Sequence, residues 1–92
     1  MSDLVRSLLA RRPYVEEKAL LDCLELAEWL APRLHAGITP EVTTAELMSR
    51  WQCSQPCVSR RISALRTHQL LDATDHPGPG AYWAIYRVGP VP

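Results

Sequence analysis

Apolar positions in this chain change spacing part-way along it. Up to residue 68 they recur at helical intervals, and beyond residue 70 they alternate. Leu4, Val5, Leu8 and Leu9 fall at i, i+1, i+4 and i+5, a helical stripe that ends in Arg11 and Arg12, and Pro13 then interrupts it. Residues 14–31 form the longest candidate helix. Acidic residues occupy its first turn, Leu20, Leu24, Ala27 and Ala31 line one face, and Cys23, Leu26 and Leu30 widen that face sideways. So broad an apolar arc exceeds what one small core needs, which predicts burial on a second side, in a homodimer. The stretch APRLHAGITPEV contains two prolines and a glycine and reads as a helix end followed by a loop.

The next elements carry their own start signals. Thr43 or Thr44 can cap a helix, and Glu46, three places after Thr43, completes a capping box. Leu47 and Trp51 then share its buried side. After a break at QCS, Ser54 is a natural N-cap, and Pro56 stands just inside the following helix, where its missing N–H costs little. Val58, Ile62 and Leu65 at i, i+4 and i+7 form the core face of that helix. Pro56, Arg60, Ser63 and Thr67 point away, and Arg61 and Arg66 lie nearer the core edges, where their stems can cover apolar surface. The tail predicts a β-hairpin: a strand at 70–74, a turn at DHPGPG, and an aromatic strand at 81–88 whose Tyr82, Ala84, Tyr86 and Val88 alternate against Trp83, Ile85 and Arg87. The expected fold is mainly α with a C-terminal β-hairpin, an α+β chain forming one domain over residues 1–92.

Charge distribution adds what the total conceals. Ten basic and ten acidic residues balance over 92 residues. Residues 1–40 hold five basic against six acidic side chains, whereas residues 47–71 hold Arg50, Arg60, Arg61 and Arg66 and no acid. That basic segment coincides with the two capped helices. With 47% hydrophobic and 22% charged residues the composition is that of a folding chain. No apolar run reaches the roughly 20 residues of a membrane span, and the start of the sequence lacks the order of a signal peptide, so a cytoplasmic protein without membrane contact is expected.

The segment TTAELMSRWQCSQPCVSRRISALRTHQLL resembles the helix-turn-helix of small bacterial repressors of the ArsR type, with MarR-type regulators close behind. The order Ser54, Gln55, Pro56, Val58, Ser59, Arg60 carries most of the likeness. GAYWAIYRV resembles the returning strand of their wing, and the layout is also similar to the small PapI- and FaeA-type regulators. The resemblance covers residues 43–88 and implies a winged helix-turn-helix: N-terminal helices over 1–36 as a possible dimer contact, the helix-turn-helix over 43–68, and the wing over 70–88. It implies a sequence-specific transcriptional regulator, a repressor by type, that binds double-stranded DNA with helix 55–68 in the major groove. Such a helix needs N-terminal residues free to reach base edges, a slim polar outer face and a second helix holding it across the backbone. On this reading Gln55, Pro56, Ser59, Arg60 and Ser63 meet bases, while Thr44, Arg50, Ser54, Arg61, Arg66, Thr67 and Arg87 meet phosphates.

Departures from the pattern set limits. Glycine is common in the turn of such motifs and after the second helix, where φ tends to be positive, yet Gln52 and Gln69 stand there. The tip DHPGPG has no Arg or Lys, and the Cys-x-Cys of metal-sensing relatives is missing from VTTAEL, so their metal function does not carry over and no cofactor or metal is expected. Cys23, Cys53 and Cys57 read as thiols, because CxxxC alone is a weak metal motif. No Gly-rich phosphate loop, HExxH or nucleophile elbow is present, so the chain reads as a non-enzyme. Zero net charge and the uncharged tip keep a second reading open, a winged helix that binds protein as an adaptor or inhibitor of a larger nucleic-acid machine.

Overall fold

A computed structural model describes residues 3–76, 78 and 81–90. The described residues form α1 (Asp3–Arg11), α2 (Glu17–His35), β1 (Glu41–Thr43), α3 (Thr44–Trp51), α4 (Gln55–Thr67), β2 (Leu71–His76) and β3 (Tyr82–Val88). This is an α+β architecture of four helices and a three-stranded antiparallel sheet in the order β1-β3-β2. One apolar cluster reaches every element, from Leu8 of α1 through Leu26 and Leu30 of α2, Leu47 of α3 and Ile62 of α4 to Ile85 of β3. No helix among the described residues is long and apolar enough to cross a membrane.

Helix α2 runs four residues past its predicted end and carries Pro32 inside it. Proline there forfeits one backbone hydrogen bond. The helix continues because Leu34 packs against the core and because its true stop signal lies further on, at Gly37. With φ +77 at Gly37, the amide of Ile38 donates to Arg33 O (3.0 Å) and that of Gly37 to Leu34 O (3.2 Å), the paired bonds of a Schellman cap. The same device ends α4 at Gln69, where φ is 59: Leu70 N–H donates to Leu65 O at 2.8 Å and Gln69 N–H to Arg66 O at 3.0 Å. Helix α3 ends on Gln52 at φ 51, and Cys53 N–H donates back to Met48 O at 3.1 Å. Two of three caps therefore hold glutamine in the left-handed region that favours glycine.

The α2 face turned to the core is also displaced from the expected one. Ala19, Cys23, Leu26 and Leu30 face inward together with Leu20 and Ala27, while Leu24 and Ala31 stay half-buried. Their side opens on a groove of about 950 Å³ walled by α1, α2 and β3, with Leu4, Leu34, Tyr86 and Val88 completing its apolar lining.

Strand β1 falls in a segment predicted to be loop. Three residues are too few for an alternation signal, and what makes them a strand is the pairing of Glu41, Val42 and Thr43 with Ala84, Trp83 and Tyr82. β2 pairs with β3 from Leu71↔Val88 to His76↔Tyr82, so the hairpin is longer on its first strand than expected. Pro77, Pro79 and Gly80 of the predicted turn lie outside the described residues. The strict alternation predicted for β3 fails at one point: Asp72 pairs with Arg87 and Ala73 with Ile85, leaving Tyr86 as the extra residue of a bulge. The bulge shifts the phase, so Ala84 and Ile85 are both buried and Tyr86 stands 54% exposed.

Candidate nucleic-acid interface

Helix α3 starts as its residues dictate. Glu46 N–H donates to Thr43 Oγ1 (3.0 Å) and Thr43 N–H to Glu46 Oε1 (3.3 Å), a closed capping box. Leu47 is fully buried and Trp51 half-buried, and the left-handed Gln52 turns the chain into α4 within three residues. Ser54 occupies the N-cap of α4 but its side chain makes no capping bond, and Pro56 sits in the first turn. Ser54 itself is exposed, and Val58 N–H donates to its carbonyl at 3.0 Å.

The faces of α4 separate cleanly. Val58, Ile62 and Leu65 have no exposed surface. Gln55, Pro56, Ser59, Arg60 and Ser63, expected to meet bases, are all exposed and share one side of the helix with Arg66 and Thr67. Among the described residues no ion pair holds Arg60 or Arg66. The structure thus brings eight of the named residues, Ser54 included, onto one continuous outward surface.

The other basic side chains are held elsewhere. Arg61 is directed into the seam with α2, 3.8 Å from Asp22 and with its guanidinium 5.3 Å from the Trp51 ring; its side chain is 18% exposed. Arg50 hydrogen-bonds and ion-pairs with Glu25 and stacks over Trp29 at 4.4 Å. Glu25 accepts a second bond, from Trp51 Nε1 at 3.2 Å. Arg87 donates to the carbonyls of Gln69 (3.4 Å) and Gly89 and so bridges the end of α4 to β3. Thr44 is half-buried, its amide donating to Ala81 O at 3.3 Å. The phosphate contacts expected of Arg50, Arg61 and Arg87 therefore compete with intramolecular partners. The reason is tertiary: α2 carries Asp22 and Glu25 on the side it turns to α3 and α4, and the sequence separation of these pairs hides them from periodicity.

Electrostatics follow the same division. Burial pushes the Asp22 carboxyl above its ordinary value, and Arg61 and Lys18 pull it back in part. Cys23 is fully buried, its Sγ donating to Leu70 O at 3.7 Å, and burial pushes it up to about 11. Cys53 and Cys57 hydrogen-bond each other. That bond, helped by Arg61, Arg60 and Lys18, holds Cys57 below the usual thiol value, whereas Cys53 is raised, first by desolvation and then by donating the bond. No cluster of three or more His, Cys, Asp or Glu side chains suited to a metal occurs among the described residues.

No protein-family model, curated protein or solved structure matches this chain.

Proposed function

We propose that this protein is a sequence-specific, double-stranded-DNA-binding transcriptional regulator of the winged helix-turn-helix type, acting as a cytoplasmic homodimer. The observation that carries the proposal is the outward face of α4, where Gln55, Ser59, Arg60 and Ser63 stand exposed and no acid interrupts residues 47–71. Such a surface matches the donor and acceptor pattern of a major groove, and one bidentate Arg or Gln pair supplies roughly 1–3 kcal/mol of base discrimination. In this reading α3 is the supporting helix and β2–β3 the wing. Arg66, Ser54, Thr67 and the amides opening α4 meet phosphates, and Arg50, Arg61 and Arg87 chiefly brace the scaffold. The dimer part rests on the apolar groove between α1, α2 and β3, which supports a second copy packing there. Two α4 helices about 34 Å apart then address successive major grooves.

Selection from random duplexes tests the reading, followed by titration of the winning site with the parent and Arg60→Ala. We expect enrichment of a two-fold-related site and a loss of about 1–3 kcal/mol with relaxed specificity for the variant. Equal affinity for selected and random DNA would refute the proposal.

A second reading, a protein-binding adaptor, is favoured by the zero net charge and by the internal engagement of Arg50, Arg61 and Arg87. Ionic strength separates the two. Binding through phosphates falls steeply with salt, and an apolar protein contact does not.

A further inference from the structure

Outside the outward face of α4, the most reactive group of side chains is the pair Cys53 and Cys57. Cys57 lies in the first turn of α4, and Cys53 immediately precedes the extended N-cap Ser54. Both thiols are half-buried and they hydrogen-bond each other. Cys57 also lines a cleft of about 370 Å³ between α2 and α4, together with Lys18, Arg60 and Arg61 and the carboxylates of Glu16 and Asp22. Three cations against two carboxylates leave the cleft net positive beside the sulfur. Cys23, sealed in the core on another part of α2, has no part in this group.

We propose that Cys57 and Cys53 form a hydroperoxide-responsive dithiol, with Cys57 as the sulfur that takes up oxygen from the oxidant and Cys53 as the one that resolves it. In the first step the Cys57 thiolate attacks the terminal oxygen of a hydroperoxide. An S–O bond forms and the O–O bond breaks, the sulfur is oxidised by two electrons, and the leaving oxygen takes a proton to depart as water or an alcohol. In the second step Cys53 attacks that sulfur: the S–S bond forms, the S–O bond breaks, and the hydroxyl leaves as water with the Cys53 proton.

The roles follow from the surroundings. Cys53 donates its S–H to Cys57, so the acceptor sulfur is the one readied as thiolate, and Arg61, Arg60 and Lys18 stabilise negative charge there. The resolving thiol is already hydrogen-bonded to its target, so the second step needs no third cysteine to be brought in. The disulfide staples the chain entering α4 to its first turn, beside Gln55 and Pro56. The chemistry does not depend on the DNA reading, and each can fail alone.

The test treats the reduced full chain with hydrogen peroxide under native conditions and follows intact mass and peptide maps without reductant. The expected product has lost two hydrogen atoms, carries a 53–57 disulfide within one chain, leaves Cys23 free, and reverts with dithiothreitol. Cys53→Ser is expected to stop at a sulfenic acid on Cys57 that dimedone captures, and Cys57→Ser to leave Cys53 reacting about ten-fold or more slowly than the parent pair. Far-UV circular dichroism checks that each variant folds. On the parent alone, the pH dependence of iodoacetamide labelling should have its midpoint lower at Cys57 than at Cys53. Absence of the 53–57 bridge in folded protein, bridging between chains or to Cys23, or parent-rate oxidation of Cys53 in Cys57→Ser would each overturn the proposal.

Discussion

Gln69→Gly should stabilise the protein, and the size of the gain can be worked out from the cap of α4. Gln69 holds φ at 59 while its own amide and that of Leu70 donate back to Arg66 O and Leu65 O at 3.0 and 2.8 Å. Leu65 and Leu70 are both fully buried, so the cap cannot relax without uncovering core. A side chain in the left-handed region costs about 1–2 kcal/mol, which glycine removes. Glycine also frees the unfolded chain, returning about 0.4–1 kcal/mol of that gain, for a net of roughly 0.5–1 kcal/mol. The Gln69 side chain is exposed, so its removal uncovers no core, and the bond from Arg87 is to the backbone carbonyl and survives. For a chain of this size the midpoint of thermal unfolding should rise by roughly 2–8 °C, with the urea slope unchanged. Gln69→Ala is the control: alanine meets the same backbone penalty and should gain nothing. A glycine variant no more stable than the parent, or an alanine variant as stable as the glycine one, would refute the reasoning that strain resides in this cap.

Other expectations follow from the same contacts. Glu25→Ala removes the acceptor shared by Arg50 and Trp51, both partly exposed, and should lower stability measured in urea by about 1–2 kcal/mol; Glu25→Gln, which keeps an acceptor, should lose less. Asp22 has a raised carboxyl, so the folded state binds its proton more readily than the unfolded chain. Its ionised form therefore costs stability at neutral pH, and that cost is relieved as pH falls through the folded value toward the ordinary 3.8. Stability of the parent relative to Asp22→Asn should thus rise on acidification, and a flat or falling difference in urea titrations would mean that the Arg61 pair outweighs burial. Leu24→Lys, on the half-buried wall of the groove, should shift the protein to monomer in analytical ultracentrifugation without unfolding it, whereas an unchanged assembly state would remove the groove from the dimer proposal.

Local signals survived into the structure wherever the deciding interactions lie within a few residues. The Thr43–Glu46 box, the inward row of Val58, Ile62 and Leu65, and the left-handed backbone expected at Gln52 and Gln69 all involve partners one turn away or less, and all are present. The exposure of Gln55, Ser59, Arg60 and Ser63 follows from the same helical period once the core row is known. Other features depended on partners far along the chain. Glu41–Thr43 becomes a strand only because β3, forty residues later, presents an edge to it. α2 runs through Pro32 because Leu34 has a core to pack on, and β3 loses its alternation because of a bulge at Tyr86 in its pairing with β2. Arg50, Arg61 and Arg87 were legible as basic but not as engaged: Glu25 is 25 positions from Arg50, and Gln69 is 18 from Arg87. Sequence by itself thus determined which face of each central helix is apolar and where those helices start and stop, since period and caps are local. Tertiary structure alone decided which charges remain free, because a charge is neutralised by whatever the fold brings within a few ångströms of it, at any distance along the chain.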